Sequence, residues 1–335
     1  MNLPIYQHPS MTVLVDDSTS FLNSLRFHLG HALPSMTFST PSRALDWLRE
    51  QSRWTPPPNS FLSPSVDTYT LSPQPFNVAL HVEQVCRISA RSHRFMTPSV
   101  VVVDYSMPQM NGIEFCAAAR DLPCKKILLT GVADESVAVE AFNRGLIDRF
   151  IRKSDADVLE RLETELVTLQ RDFFLEQSGA LRNLLTLHEY AFVGDPAISA
   201  LVRDVAASYQ IVEHYLFKSP CGFLMIDREG RSHLLVIETE SSMEAHFEVA
   251  CDSGAPNSLL NALSERRIIP NFYSGDGMDG MYSADCGEDW YRHTTPAQVC
   301  HGRELYYWGL FDLESDLLPA PIESYSSFLR RHQTA

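Results

Sequence analysis

The sequence predicts an α/β protein: a doubly wound, five-stranded parallel sheet within residues 1–155, a helical linker, and then an α+β domain with an antiparallel sheet. Three observations carry this. Short apolar, β-branched runs alternate with stretches at helical spacing, the pattern of a parallel sheet covered on both faces. Those runs end in acidic or polar residues, as strands do where their carboxyl ends form a ligand-facing rim. Further along, the apolar runs come in pairs around glycine-containing turns, which read as hairpins.

Residues 11–16 (MTVLVD) form the first strand, and 18–33 place Phe21, Leu22, Leu25 and Leu29 at helical spacing. The run Val100–Val103 ends at Asp104, and Lys126–Thr130 and Arg149–Arg152 are further strands. Asp16, Asp17, Asp104, Thr130 and Lys153 therefore fall together at strand ends. An insert at about 51–97 interrupts this rhythm: it starts Pro- and Ser-rich, then reads as a helix over Phe76–Phe95 whose Arg87, Arg91 and Arg94 share one solvated basic face.

The linker, 156–192, carries Leu159, Leu162, Leu166, Leu169 and Phe173 at alternating spacings of three and four, an a/d seam that wants a partner helix. The expectation is pairing between chains, with packing on the chain's own domain as the alternative. The remaining part, 193–335, opens with Asp195-Pro196 as N-cap and first helical residue of a helix running to about Tyr209. Phe223–Ile226 with His233–Ile237, and Gln298–His301 with Leu305–Phe311, read as hairpins; Met243–Cys251 and Ser258–Arg266 read as short helices between them.

Charge separates the two halves: residues 1–154 sum to +1 and residues 155–335 to −16. So acidic a half repels a phosphate backbone and disfavours DNA binding. Seven scattered cysteines include no C-x-x-C pair and suit a reducing compartment. No apolar run approaches the roughly 18–20 residues of a spanning helix, and MNLPIYQHPS lacks a basic then apolar leader, so a cytoplasmic protein without membrane partners is expected.

Phosphoryl transfer to a carboxylate needs a nucleophilic aspartate, a divalent cation and donors for the phosphoryl oxygens. Asp16 and Asp17 beside Asp104 supply hard oxygen ligands for magnesium. The segments VLVDDS (13–18), VVVDYSMPQMNG (101–112), ILLTG (127–131) and FIRK (150–153) resemble, in order, the motifs of the receiver domains of bacterial two-component response regulators. That resemblance implies Asp104 as phosphoacceptor, Asp17 as direct Mg2+ ligand, Asp16 as holder of metal-bound water and Ser106 as donor of a backbone carbonyl to the metal. It further implies Thr130 as the switch hydroxyl, Lys153 as the lysine pairing with the phosphoryl group and Phe150 as the switch aromatic. Implied partners are a sensor histidine kinase or a phosphotransfer protein, with a homodimer or another protein contact as output. Asn111, where the family commonly carries Asp, and the long insert are departures.

In the second half, GFLMIDREGRSHLLVIE resembles the first hairpin of a PAS-type domain and AQVCHGRELYYWGLFDL its closing strands. The whole architecture resembles the response regulators of Legionella-type α-hydroxyketone quorum sensing. His293, Cys286, Cys300 and His301 could approach a metal, but their irregular spacing favours structural or surface roles, and Asp276–Gly280 lacks the later ligands of a calcium loop, which favours a turn there. Two other functions stay open at this level: a regulator whose second half binds a small molecule, and an output enzyme.

Overall fold

The computed structural model describes residues 3–30, 33–57, 60–65, 77–131, 135–185, 190–271, 284–313 and 321–333. The chain forms two compact units, each drawn from separate stretches of sequence. One comprises Met1–Tyr6, Phe61–Ala90 and Ala180–Ser324; the other comprises Gln7–Ser60, Arg91–Gly179 and Tyr325–Ala335. In chain order the strands are β1 (Tyr6–Gln7), β2 (Met11–Val15), β3 (Ser35–Phe38), β4 (Leu62–Ser65), β5 (Asn77–Leu80), β6 (Pro98–Asp104), β7 (Lys125–Thr130) and β8 (Arg149–Arg152). They continue with β9 (Ile211–Phe217), β10 (Gly222–Asp227), β11 (Ser232–Thr239), β12 (Ile268–Pro270), β13 (Thr294–Pro296), β14 (Gln298–His301) and β15 (Leu305–Leu313). The helices are α1 (Thr19–Leu29), α2 (Pro41–Ser52), α3 (Val82–Cys86), α4 (Gly112–Ala118), α5 (Glu135–Asn143), α6 (Val158–Leu185), α7 (Pro196–Ser208), α8 (Glu240–Asp252), α9 (Asn257–Ser264) and α10 (Tyr325–Gln333).

The second of the two units holds the expected five-stranded sheet, ordered β3-β2-β6-β7-β8 with every pair parallel. Side chains alternate across it. Val13, Val15, Val101, Val103 and Leu128 face one layer with Leu45, Leu48, Phe115, Ala138 and Ala141 from α2, α4 and α5. Leu14, Val100, Val102, Ile127, Leu129 and Ile151 face the opposite layer with Leu22, Leu25 and Leu29 of α1. Leu162, Leu166 and Leu169 of α6 complete that layer and are 1 %, 0 % and 2 % exposed.

This corrects the expected dimerisation seam. Leu162, Leu166 and Leu169 are consumed by their own sheet, Leu159 packs against the same layer, and Phe173 is buried edge-on against Phe174 at 5.1 Å. A face already covered has no apolar surface left to offer a partner helix. The same unit includes α10, although in sequence it falls at the end of the second half: Phe95 meets Tyr325 at 5.3 Å and Phe328 at 5.1 Å.

The other unit is built on an antiparallel sheet ordered β1-β9-β10-β11-β15-β14, with β12 and β13 paired separately. Both expected hairpins are present, β10 with β11 and β14 with β15. Between the hairpins, β15 pairs with β11, and β10 is flanked on its other side by β9. Asp195 caps α7 by accepting from the Ala197 amide at 2.9 Å, and its other oxygen accepts from the Arg303 amide at 2.6 Å and the Tyr306 hydroxyl at 3.1 Å.

The insert differs from its expected single helix. Residues 77–80 are a strand paired with β4, the helix is confined to 82–86, and Arg94 is buried under its own neighbour Phe95 instead of lying on a basic face. Val82 and Val85, with the Cys86 thiol donating to the Leu216 carbonyl at 2.9 Å, fasten α3 to β9 in the same unit. The loop 276–280 and the Cys286 side chain lie outside the described residues.

Candidate functional site

Because β2, β6, β7 and β8 are parallel neighbours, the residues that follow them gather at one rim of the sheet. Asp16 follows β2, Asp104 ends β6, Thr130 ends β7 and Lys153 follows β8. Among the described residues, Asp16, Asp17 and Asp104 are the acidic group with metal-ligand geometry, their oxygens lying within 4.8 Å of one another. Asp16 and Asp104 are buried and Asp17 is exposed.

Lys153 joins two of the three carboxylates. Its Nζ donates to Asp16 Oδ2 at 2.7 Å and ion-pairs with Asp104 Oδ1 at 2.8 Å, while lying 4.5 Å over the Phe21 ring. Asp16 Oδ1 accepts from the Ser18 amide at 2.8 Å, which ties the carboxylate to the start of α1. Burial pushes the Asp104 carboxyl above its ordinary range; Lys153 works against that, and the neighbouring Asp16 and Asp17 charges add to it. Burial alone would lower the Lys153 pKa, but its hydrogen bonds to Asp104 and Asp16 outweigh burial and hold it above the usual lysine value.

Thr130 is fully buried and its Oγ1 has no hydrogen-bond partner. Buried hydroxyls without partners are uncommon, and this one stands at the end of β7, the strand next to the one that Asp104 ends. Its backbone carbonyl accepts from the Lys153 amide at 2.9 Å, which fixes β7 and the lysine together. Phe150 is partly buried against the layer containing Ala138 and Ala141. Ser106 is exposed in the turn two residues beyond Asp104.

The turn after Asp104 is shaped by Asn111 and Gly112. Asn111 caps α4, its side chain accepting from the Ile113 and Glu114 amides at 3.0 Å and 2.9 Å while Glu114 Oε2 accepts from the Asn111 amide at 2.9 Å. An amide carbonyl caps as well as a carboxylate, so Asn in place of Asp keeps the turn. Gly112 is fixed by space: a Cβ there would lie 2.5 Å from the Asp104 carbonyl oxygen and 2.6 Å from Leu128 Cδ1. Phe21 read as an ordinary core residue; only the fold brings its ring under Lys153, and no sequence signal could have indicated this.

A receiver-domain family, described as response regulator receiver domain, matches residues 77–163. The solved response regulator LqsR of Legionella pneumophila is 30% identical, covers 98% of this chain and 95% of its own, and superposes with a TM-score of 0.78. The chain belongs to the response regulators. A chemotaxis protein CheY of Listeria monocytogenes is 35% identical to this response regulator over 69 residues, 20% of this chain and 58% of CheY. A protein-glutamate methylesterase/protein-glutamine glutaminase of Methanococcoides burtonii is 26% identical over 204 residues, 52% of this chain and 58% of that protein. The chain thus spans less than two thirds of these two relatives. The matches place the response regulator in two-component signalling through its receiver, and no described helix is long and apolar enough to cross a membrane.

Proposed function

We propose that Asp104 accepts a phosphoryl group from a sensor histidine kinase or a phosphotransfer protein, and that the response regulator signals through a protein contact made in the phosphorylated state. The observation that carries this reading is the donor set around Asp104: a bridging Lys153 ammonium and a buried Thr130 hydroxyl that has no partner of its own. A carboxylate oxygen of Asp104 forms the new bond to phosphorus as the donor's bond to phosphorus breaks. The resulting dianion calls for hydrogen-bond donors, and Thr130 and Lys153 are the groups at hand.

The acidic cluster fits a hard cation. Three carboxylates within 4.8 Å, with one lysine shared between two of them, leave negative charge that a divalent ion balances. Asp16, Asp17, Asp104 and the Ser106 carbonyl would hold Mg2+, which when bound neutralises charge developing on the transferred group. Thr130 turning toward the phosphoryl group would empty the space beside it, and Phe150, already half packed on the α5 layer, is the side chain able to follow.

Self-association remains part of this reading, on a surface other than the leucine face of α6. The test is mass and mass spectrometry together. Acetyl phosphate with Mg2+ adds one phosphoryl group to the wild type and none to Asp104→Asn. Light scattering with a beryllofluoride mimic then reports whether the switched form associates. Phosphorylation that persists in Asp104→Asn would end the assignment.

A further inference from the structure

The insert carries a hydrogen-bonded relay that the receiver chemistry does not use. Ser63, on β4, lies 2.8 Å through its Oγ from His81 Nε2, and His81 Nδ1 lies 3.2 Å from Glu83 Oε1. All three residues belong to the antiparallel unit. None is sealed in the core: Ser63 is half-buried, and the His81 and Glu83 side chains are 33% and 44% exposed.

The arrangement has the polarity an activated nucleophile requires. Glu83 stays in its charged form: burial opposes this, but hydrogen bonds from its own backbone and from His81, with the Lys218 charge, keep its carboxyl below the usual range. A carboxylate only accepts, so the proton between Glu83 and His81 sits on Nδ1. In the neutral imidazole that leaves Nε2 with its lone pair facing the Ser63 hydroxyl, the tautomer a general base needs. Base and orienting residue are also held beside a fixed element, because α3 packs on β9, its Val82 and Val85 are buried, and the Cys86 thiol that ends it donates to the Leu216 carbonyl. The backbone pairing of Ser63 with Ala79 closes the hairpin without help from these side chains.

We propose that Ser63, His81 and Glu83 form a nucleophilic relay that cleaves small activated esters by acyl transfer to water. His81 Nε2 takes the Ser63 proton as Oγ bonds to the ester carbonyl carbon; the carbon–oxygen bond to the alcohol breaks and the imidazolium returns that proton to the leaving oxygen. Water then adds to the acyl-serine, giving its proton to His81, and the acid departs as Ser63 is reprotonated. Ester and water yield acid and alcohol, with no further reactant.

The full-length protein is treated with a fluorophosphonate, digested and sequenced by mass spectrometry, and in parallel assayed with p-nitrophenyl acetate. The expected result is one adduct, on Ser63, with esterase activity abolished in Ser63→Ala. His81→Gln and Glu83→Gln are each expected to slow labelling, the former by on the order of a hundredfold or more. An unlabelled Ser63 in the wild-type protein overturns the proposal and reduces the relay to a fastening of the hairpin. Labelling at an unchanged rate in His81→Gln overturns it as well, because a serine reacting without its base is not activated.

Discussion

Thr130→Val tests whether the buried Thr130 hydroxyl is held at a cost. The Thr130 side chain is fully buried at the end of β7 and its Oγ1 is unpartnered. A hydroxyl taken from water and given no partner costs about 1–3 kcal/mol. Valine keeps the β-branched shape a strand prefers and replaces the hydroxyl with a methyl group of similar size. The variant is therefore expected to be more stable than the wild type by about 1–2 kcal/mol when no phosphoryl group is present. With a urea slope near ~2 kcal/mol per molar, that moves the unfolding midpoint up by roughly 0.5–1 M. Thr130→Ser, which keeps the hydroxyl and loses a buried methyl, moves it down. With beryllofluoride and Mg2+ added, the proposed role of Thr130 has the wild type gain more than Thr130→Val, because only it has a hydroxyl to offer the mimic. A Thr130→Val protein that is less stable than wild type, measured by circular dichroism, would refute the reasoning, since the hydroxyl would then be paid for by a partner.

Three further outcomes follow from the packing. Leu166→Ala, at a fully buried position on α6, lowers unfolding free energy by about 2–5 kcal/mol without changing the molar mass measured by light scattering, since its partners are on its own sheet. Phe328→Ala removes a ring packed on Phe95 and lowers the stability of the parallel-sheet unit by about 3–5 kcal/mol, seen as an earlier urea transition. His214, buried with its Nε2 against the Pro4 carbonyl, is pulled by burial from 6.5 down to about 4. The unfolded chain binds this proton at a higher pH than the folded one. Stability is therefore full above about 6.5 and falls as pH drops toward 4, by about 3 kcal/mol. His214→Gln flattens that part of a urea-against-pH profile.

The receiver was legible because polar residues interrupt its apolar runs: Asp16, Asp104 and Thr130 each stand where a buried strand ends, and a polar group there is conspicuous in one dimension. The leucine repeat from Leu159 was legible as a face needing cover, but periodicity says nothing about what covers it, and the sheet supplied the cover. Arg94 misled for a related reason, since spacing put it with Arg87 and Arg91 while Phe95 drew it inward. The Thr130 vacancy in hydrogen bonding, the Phe21 ring under Lys153 and the approach of Ser63 to His81 are distances across the fold, and no residue pattern encodes them. The order of the antiparallel sheet escaped similarly: both hairpins read correctly, but which strand of one meets which strand of the other is decided by packing.

The way each unit is assembled from scattered stretches has a consequence for inheritance. In a protein whose parts follow one another along the chain, a single genetic crossover can exchange one part and leave the other whole. Here any single junction parts a unit from some of its own material: a break after residue 155 strands α6 and α10 on the wrong side and carries α3 away from β9. A hybrid made that way has two incomplete cores. The two units are therefore transmitted together, and a new pairing of receiver and second unit cannot be reached by one exchange of contiguous halves.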